Sequence, residues 1–234
     1  MRPSLHWRNL NPLSQDAFNI FDGFKATVVM SNMGVELPLA IHARRSNTLI
    51  IARLYMPAGS LPTPWDAFNA WHSYIDQTVA VVDGYQILNE PNLEYGISPE
   101  RFTDWFLETL ALLRRAGARF GFPMPNVAGA ESFEWALWCG EAIRQADFIA
   151  EHCYWELTWP IYAQMDDINW GSRYYRCHEA WPDKEIHITE FGCSADLSRA
   201  ERIEQYRCYL RTLPGYVSSA SAFIMSNHLV NPTR

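Results

Sequence analysis

A chain of 234 residues, 48% of them apolar, can fill one large core and fits a single domain, 1–234, better than two. Its net charge of −7 and pI near 5.5 argue against nucleic-acid or anionic-membrane partners, which need clustered Lys and Arg. No run approaches the ~18 apolar residues of a membrane span. No basic-then-apolar leader opens the chain either, so a cytoplasmic protein is the default, or a secreted one if the chain has been processed.

In chain order, "SLHW" (4–7), "ATVVM" (26–30) and "TLIIARLY" (48–55) read as short strands. A helix follows from Thr63, with Pro64 at its first position, Asp66 three residues after Thr63, and Phe68, Trp71, Ile75 and Val79 on one face. The strand "GYQILNE" (84–90) leads to a helix opened by Ser98-Pro99-Glu100. Its apolar face is Phe102, Trp105, Phe106, Leu110 and Leu113, and it closes at Arg114, Arg115 and Gly117, with the two cations where a helix C-terminus favours them. "PNVAGA" (125–130) and "DFIAEHCY" (147–154) are the fifth and sixth strands. Between the sixth and seventh, "IYAQMDDINWGSRYYRCHEAW" is a weak helix interrupted by Gly171. "EIHITEFG" (185–192) is the seventh strand. Ser198 and Glu201 then form a capping box ahead of Ile203, Tyr206, Leu210 and Leu213, and "SASAFIMS" (219–226) is the eighth strand.

Eight strands alternating with helical segments point to a parallel sheet, and eight such units in one domain make a (β/α)8 TIM barrel. An open doubly wound sheet is the alternative, but no G-x-G-x-x-G follows a strand. Only "HLVNPTR" remains after the eighth strand, so the last covering helix is expected to be missing. A bare apolar strip, or a subunit or domain contact, would then lie beside strands 8 and 1.

Five cysteines without a C-x-x-C pair are expected to be free thiols. No H-x-H or H-E-x-x-H spacing supports a metal site, which disfavours a metal hydrolase built on His152, His178 and His187. No cofactor is expected. Ten Trp, eleven Tyr and twelve Phe supply core filler or flat faces for sugars.

Two acids end apolar strands: Glu90 in "QILNE" and Glu190 in "IHITE". In a barrel such positions lie on the catalytic face, and they are spaced about as three βα units would be. "NEP" at the end of strand 4 with "TEFG" at the end of strand 7 resembles the clan A glycoside hydrolases, retaining (β/α)8 enzymes acting mainly on β-linked sugars. "HWRN", "ARLY" and "EHCYWELTWP" extend the resemblance over most of the chain. It implies Glu90 as acid/base and Glu190 as nucleophile, acting on an oligosaccharide or polysaccharide, with the nearby Glu190 charge raising the Glu90 pKa.

The resemblance also assigns Asn89 to a sugar 2-hydroxyl, and His152 and Tyr154, alternating on strand 6, to the site. Arg53, a lone charge in an apolar strand, needs a carboxylate partner, and Glu190 is the candidate. His6, Trp7, Trp155 and Glu156 are further substrate-binding candidates, as are Trp159 and, after strand 5, Glu131; Glu94 is expected to face solvent. Where the family carries an aromatic at the end of strand 8, Ser226, Asn227 and His228 stand here. That departure motivates the alternative of a non-catalytic carbohydrate-binding relic of the same barrel.

Overall fold

A computed structural model describes residues 2–6, 25–126, 130–156, 164–193 and 197–223, the first segment by its backbone. Eight parallel strands close into a barrel in chain order: β1 (Arg2–His6), β2 (Ala26–Met30), β3 (Leu49–Leu54), β4 (Gly84–Ile87), β5 (Phe120–Pro123), β6 (Phe148–Trp155), β7 (Glu185–Cys193) and β8 (Val217–Ala222). Pairing of β1 with β8, Arg2 opposite Ser219 through Leu5 opposite Ala222, completes the ring. The described helices are α1 (Glu36–Arg44), α2 (Pro64–Thr78), the single turn α3 (Pro91–Glu94), α4 (Pro99–Leu113), α5 (Ala130–Trp138), α6 (Gly140–Gln145), α7 (Tyr174–Ala180) and α8 (Arg199–Thr212).

The three capped helices start where their signals stand. Thr63 accepts from the Asp66 amide, Ser98 from that of Arg101, and Ser198 and Glu201 form the reciprocal box. On α4 all five face residues are buried. On α8 the inward face differs from the expected one: Ile203 is exposed, whereas Gln205 and Tyr209 are buried. Gln205 turns inward because its carbonyl accepts the indole N–H of Trp155, satisfying two buried polar groups at once.

The fifth strand is Phe120–Pro123, ahead of the expected 125–130. "FGFP" is a poor strand by composition, but Gly121 is required there: a Cβ on it would enter the ring of Phe148 on β6. Glu131 accordingly sits exposed in the first turn of α5, away from a strand end. The weak helix before β7 shrinks to Tyr174–Ala180, preceded by turns. Residues bearing on the expected missing helix and on the wall beside strands 8 and 1 lie outside the described ones.

Side chains divide by strand parity. Val28, Ile51, Phe148 and Ala150 fill the inside of the ring, while Ile50, Tyr85, Ile149, Ile186 and Ile188 pack with the helices in the larger core outside it. At the N-terminal face, Asp83 and Asp147 precede β4 and β6 and each accepts the amide of the preceding strand, from Ile50 and Phe120. None of the described helices is long and apolar enough to cross a membrane.

Candidate active site

β7 contains the device that creates the site. Ile186 and Ile188 point outward, so strict alternation would send Glu190 outward as well. The pairing with β6 slips by one residue, however: Ile188 stands opposite Glu151, and Glu190 stands opposite His152. Thr189 is the extra residue of a β-bulge, and the bulge turns Glu190 into the barrel mouth. Pairing with β8 slips over the same stretch.

Glu190 is 6% exposed and Arg53 3%. The Arg53 guanidinium, inward on β3, donates through Nη1 to Glu190 Oε1 at 2.5 Å. The Tyr154 hydroxyl donates to Glu190 Oε2. Burial, and then the negative charge of Glu190, pushes the Tyr154 phenol well above its ordinary value, so it stays a donor.

Glu90 arrives by a different route. β4 ends at Ile87, and the chain turns through positive φ at Leu88 (65°) and again at Glu90 (27°). Neither residue is glycine, and each such conformation costs roughly 1–3 kcal/mol unless the surroundings impose it. Gln86, inside the barrel, donates to the Leu88 carbonyl. Pro91 then starts α3, whose Leu93 and Glu94 amides donate to the Glu90 carbonyl.

His152 joins the two acids. Its Nδ1 is 2.8 Å from Glu90 Oε1 and 3.8 Å from Glu190 Oε2. Its Nε2 lies 3.1 Å from Arg53 Nη2. A guanidinium has only donors, so Nε2 accepts, and the imidazole hydrogen sits on Nδ1 facing Glu90. Arg53, His152, Tyr154, Glu90 and Glu190 thus form one connected network.

The network opens on a cleft of about 740 Å³ lined also by Asn89, Glu94, Tyr55, Asn126, Glu156, Trp170 and Phe223. Asn89 donates to Glu94 Oε1 at 2.7 Å, and its own carbonyl oxygen is buried without a partner among the described residues. Glu94, expected to face solvent, is a third carboxylate of the cleft; partial burial raises its pKa, with the Asn89 bond opposing. Glu156 is exposed at the rim. Trp155 touches the cleft, but its indole is 1% exposed and packed among Phe191, Tyr206 and Tyr209, so it offers no open face for a sugar. This corrects its stacking role: strand alternation points Trp155 away from the barrel axis. His6 ends β1 with its side chain outside the described set, and Trp7, Trp159, Ser226, Asn227 and His228 lie outside the described residues.

β8 ends at Ala222, four residues before its expected end, and Phe223 follows on the cleft wall, edge-on to Tyr154 at 6.0 Å. An aromatic therefore does stand at the end of strand 8. Tyr55 closes the "ARLY" stretch without having been singled out as a site candidate, and Trp170 carries no motif; the loops after β3 and between β6 and α7 bring them to the cleft. His178 stacks on Tyr216 and His187 bonds Ser219, both away from His152, and no group of three metal-binding side chains converges among the described residues.

Residues 57–223 match the family described as glycosyl hydrolase catalytic core. No curated protein matches the chain by sequence. Among the solved structures that share the fold are the following three. An exo-β-1,3-glucanase of GH128 subgroup VI from Aureobasidium namibiae superposes with a TM-score of 0.63 at 16% identity, over 99% of this chain and 88% of that one. A GH128 subgroup I endo-β-1,3-glucanase from Amycolatopsis mediterranei, in complex with laminaritriose, gives 0.61 at 15%, over 96% and 89%. A mutant form of Thermotoga maritima Cel5A, in complex with cellobiose, gives 0.63 at 15%, over 95% and 88%. Since the family match spans well over half of the sequence, this chain belongs to the glycosyl hydrolase catalytic core family, and it is a glycosidase.

Proposed function

We propose that the protein, acting as one (β/α)8 catalytic unit, hydrolyses β-linked gluco-oligosaccharides with retention of anomeric configuration. Glu190 is the nucleophile and Glu90 the acid/base. The observation that carries this reading is the imidazole nitrogen within 2.8 Å of one carboxylate and 3.8 Å of the other, in a cleft at the C-terminal face of the barrel. The sum of those two lengths bounds the separation of the two oxygens concerned. That bound falls at the lower edge of the ~6.5–9.5 Å expected for inversion and leaves room for the ~5–5.5 Å of retention. Neighbours holding laminaritriose and cellobiose support a β-glucan ligand.

In the first step a Glu190 oxygen attacks the anomeric carbon while a protonated Glu90 gives its proton to the departing glycosidic oxygen. The C–O bond of the substrate breaks as the ester bond to Glu190 forms. In the second step Glu90, now ionised, takes a proton from water, whose oxygen displaces Glu190 from the same carbon. Arg53 and Tyr154 hold the nucleophile ionised and oriented while it waits, one on each oxygen. His152, with its hydrogen on Nδ1, fixes one Glu90 oxygen and leaves the other to carry the transferred proton. Asn89 and Trp170 contact the sugar.

The test is turnover of an aryl β-glucoside and of laminari- and cello-oligosaccharides, with the product anomer followed by NMR. The β-anomer should appear first, and Glu190→Ala should lower kcat by about 10⁴-fold or more. Undiminished turnover in Glu190→Ala refutes the nucleophile; an α-anomer as first product refutes retention. Glycan binding by the wild type without hydrolysis would point to the carbohydrate-binding relic.

A further inference from the structure

Glu90 is held from behind by Asn92, Asn126 and Arg173, of which Asn126 also reaches the cleft wall. Asn92, inside the single turn α3, makes two hydrogen bonds to one residue beyond β5. Its Nδ2 donates to Asn126 Oδ1 at 2.5 Å, and its Oδ1 accepts the Asn126 amide at 3.0 Å. Asn126 is in turn pinned by Arg173, whose Nη1 donates to the carbonyls of Asn126 and Pro125 at 3.0 and 3.1 Å. Arg173 is fully buried outside the ring, and its charge faces Glu151, also fully buried, with Nε 3.8 Å from Oε1. The same Glu151 oxygen accepts the backbone amide of His152 at 2.8 Å. One guanidinium therefore stands behind both partners of the Glu90–His152 contact.

We propose that Arg173, Asn126 and Asn92 form a positioning clamp that imposes the positive-φ backbone of Glu90 and so aims its carboxyl at the leaving-group oxygen. The need for such a clamp follows from the backbone. A non-glycine residue at φ 27° relaxes unless its neighbours over-determine it, and α3 is too short to do so alone. The Arg173 guanidinium puts Nη1 on both carbonyls while its Nε faces Glu151, a two-sided reach that the single nitrogen of a lysine ammonium cannot reproduce. The inference rests on Glu90 being the acid of the proposed reaction.

A misaimed acid leaves a kinetic mark that a loss of folded protein does not. Proton donation matters most when the leaving group is poor. For Asn92→Ala and for Arg173→Lys, kcat/KM on an alkyl β-glucoside or oligosaccharide should fall about 10- to 100-fold. On a dinitrophenyl β-glucoside, whose leaving group needs no proton, it should fall less than about threefold. Equal losses on both substrates, or none, overturn the clamp. A crystal structure of Asn92→Ala gives a second reading that needs no activity. Release of Glu90 from positive φ, with loss of its His152 contact, supports the proposal; retention of both overturns it. Glu190→Ala is measured alongside, so that a failed glycosidase assignment is told apart from a failed clamp.

Discussion

Glu190, Arg53 and Tyr154 illustrate how burial and pairing must arrive together. A carboxylate at 6% exposure is unfavourable alone, and a guanidinium at 3% equally so. Placed within hydrogen-bonding distance they satisfy each other, and removing either takes from the other's buried charge the opposite charge it contacts. Among the described residues Glu94 makes no such ion pair, and the burial that raises its pKa, opposed by the Asn89 bond and the Arg53 charge, makes its ionised form a local cost. A group whose folded pKa exceeds its unfolded value of ~4.3 adds its full stability below that value and loses it as pH rises through the folded pKa. Glu94→Gln, which can still accept from Asn89, should therefore melt above the wild type at pH 7. The gain is roughly a degree or two in Tm after allowance for solvent screening, and it closes below pH ~4. Thermal melts at pH 3.5 and 7 measure it; a gain that persists unchanged at acid pH refutes the burial argument.

At the level of strands and helices, two irregularities do more for the site than the regular pattern around them. The bulge at Thr189 reverses the facing of everything beyond it on β7, which converts an outward acid into an inward one. The glycine at 121 has the opposite character, a missing side chain that lets β5 lie against the Phe148 ring, with Gly84 on β4 meeting the same ring (a Cβ there would come within 2.6 Å of Cε1). Phe148 thereby plugs the ring's interior beneath the site. Gly121→Ala should cost about 1–3 kcal/mol by overpacking. Adding Phe148→Leu in the same chain should recover part of that, because the clash is with the ring. Denaturant unfolding of the single and double variants reads both numbers; a double variant less stable than either single one would show that the glycine serves some other purpose.

Across the whole molecule the polar residues inside the ring divide into two ends. The C-terminal mouth holds the glycosidase network, while the N-terminal end holds Glu185, His187, Ser219 and Arg119. His187, followed by Arg119, holds the Glu185 carboxyl well below the usual carboxylate range. Here the sign is reversed. A depressed folded pKa contributes stability above the unfolded value of ~4.3, and that contribution is lost as pH falls through the folded pKa. Glu185→Gln should lower Tm at pH 7 by roughly 2–4 °C, with the difference narrowing as pH falls below ~4, while kcat stays within about twofold because the change lies at the end of the barrel remote from the cleft. A large fall in kcat without a change in Tm would contradict that division of labour.

Strand and helix order, the helix caps and two glutamates that each close an apolar run are legible in the sequence, because periodicity, capping chemistry and an acid after an apolar run are local properties written in consecutive residues. Glu90 nonetheless lies three residues past the end of β4, and Glu190 within β7. The fifth strand did not follow, since "FGFP" owes its place to Phe148 on another strand. Nor did Phe223, Trp170 and Glu94, whose positions depend on where loops and strand ends close on the cleft. The inward turn of Glu190 is the clearest case. Alternation along β7 predicts the wrong face, and only pairing with β6 and β8, a relation between distant segments, inserts the bulge that makes the acid part of a site. Local chemistry is encoded along the chain, whereas facing and distance are set by which strands share hydrogen bonds.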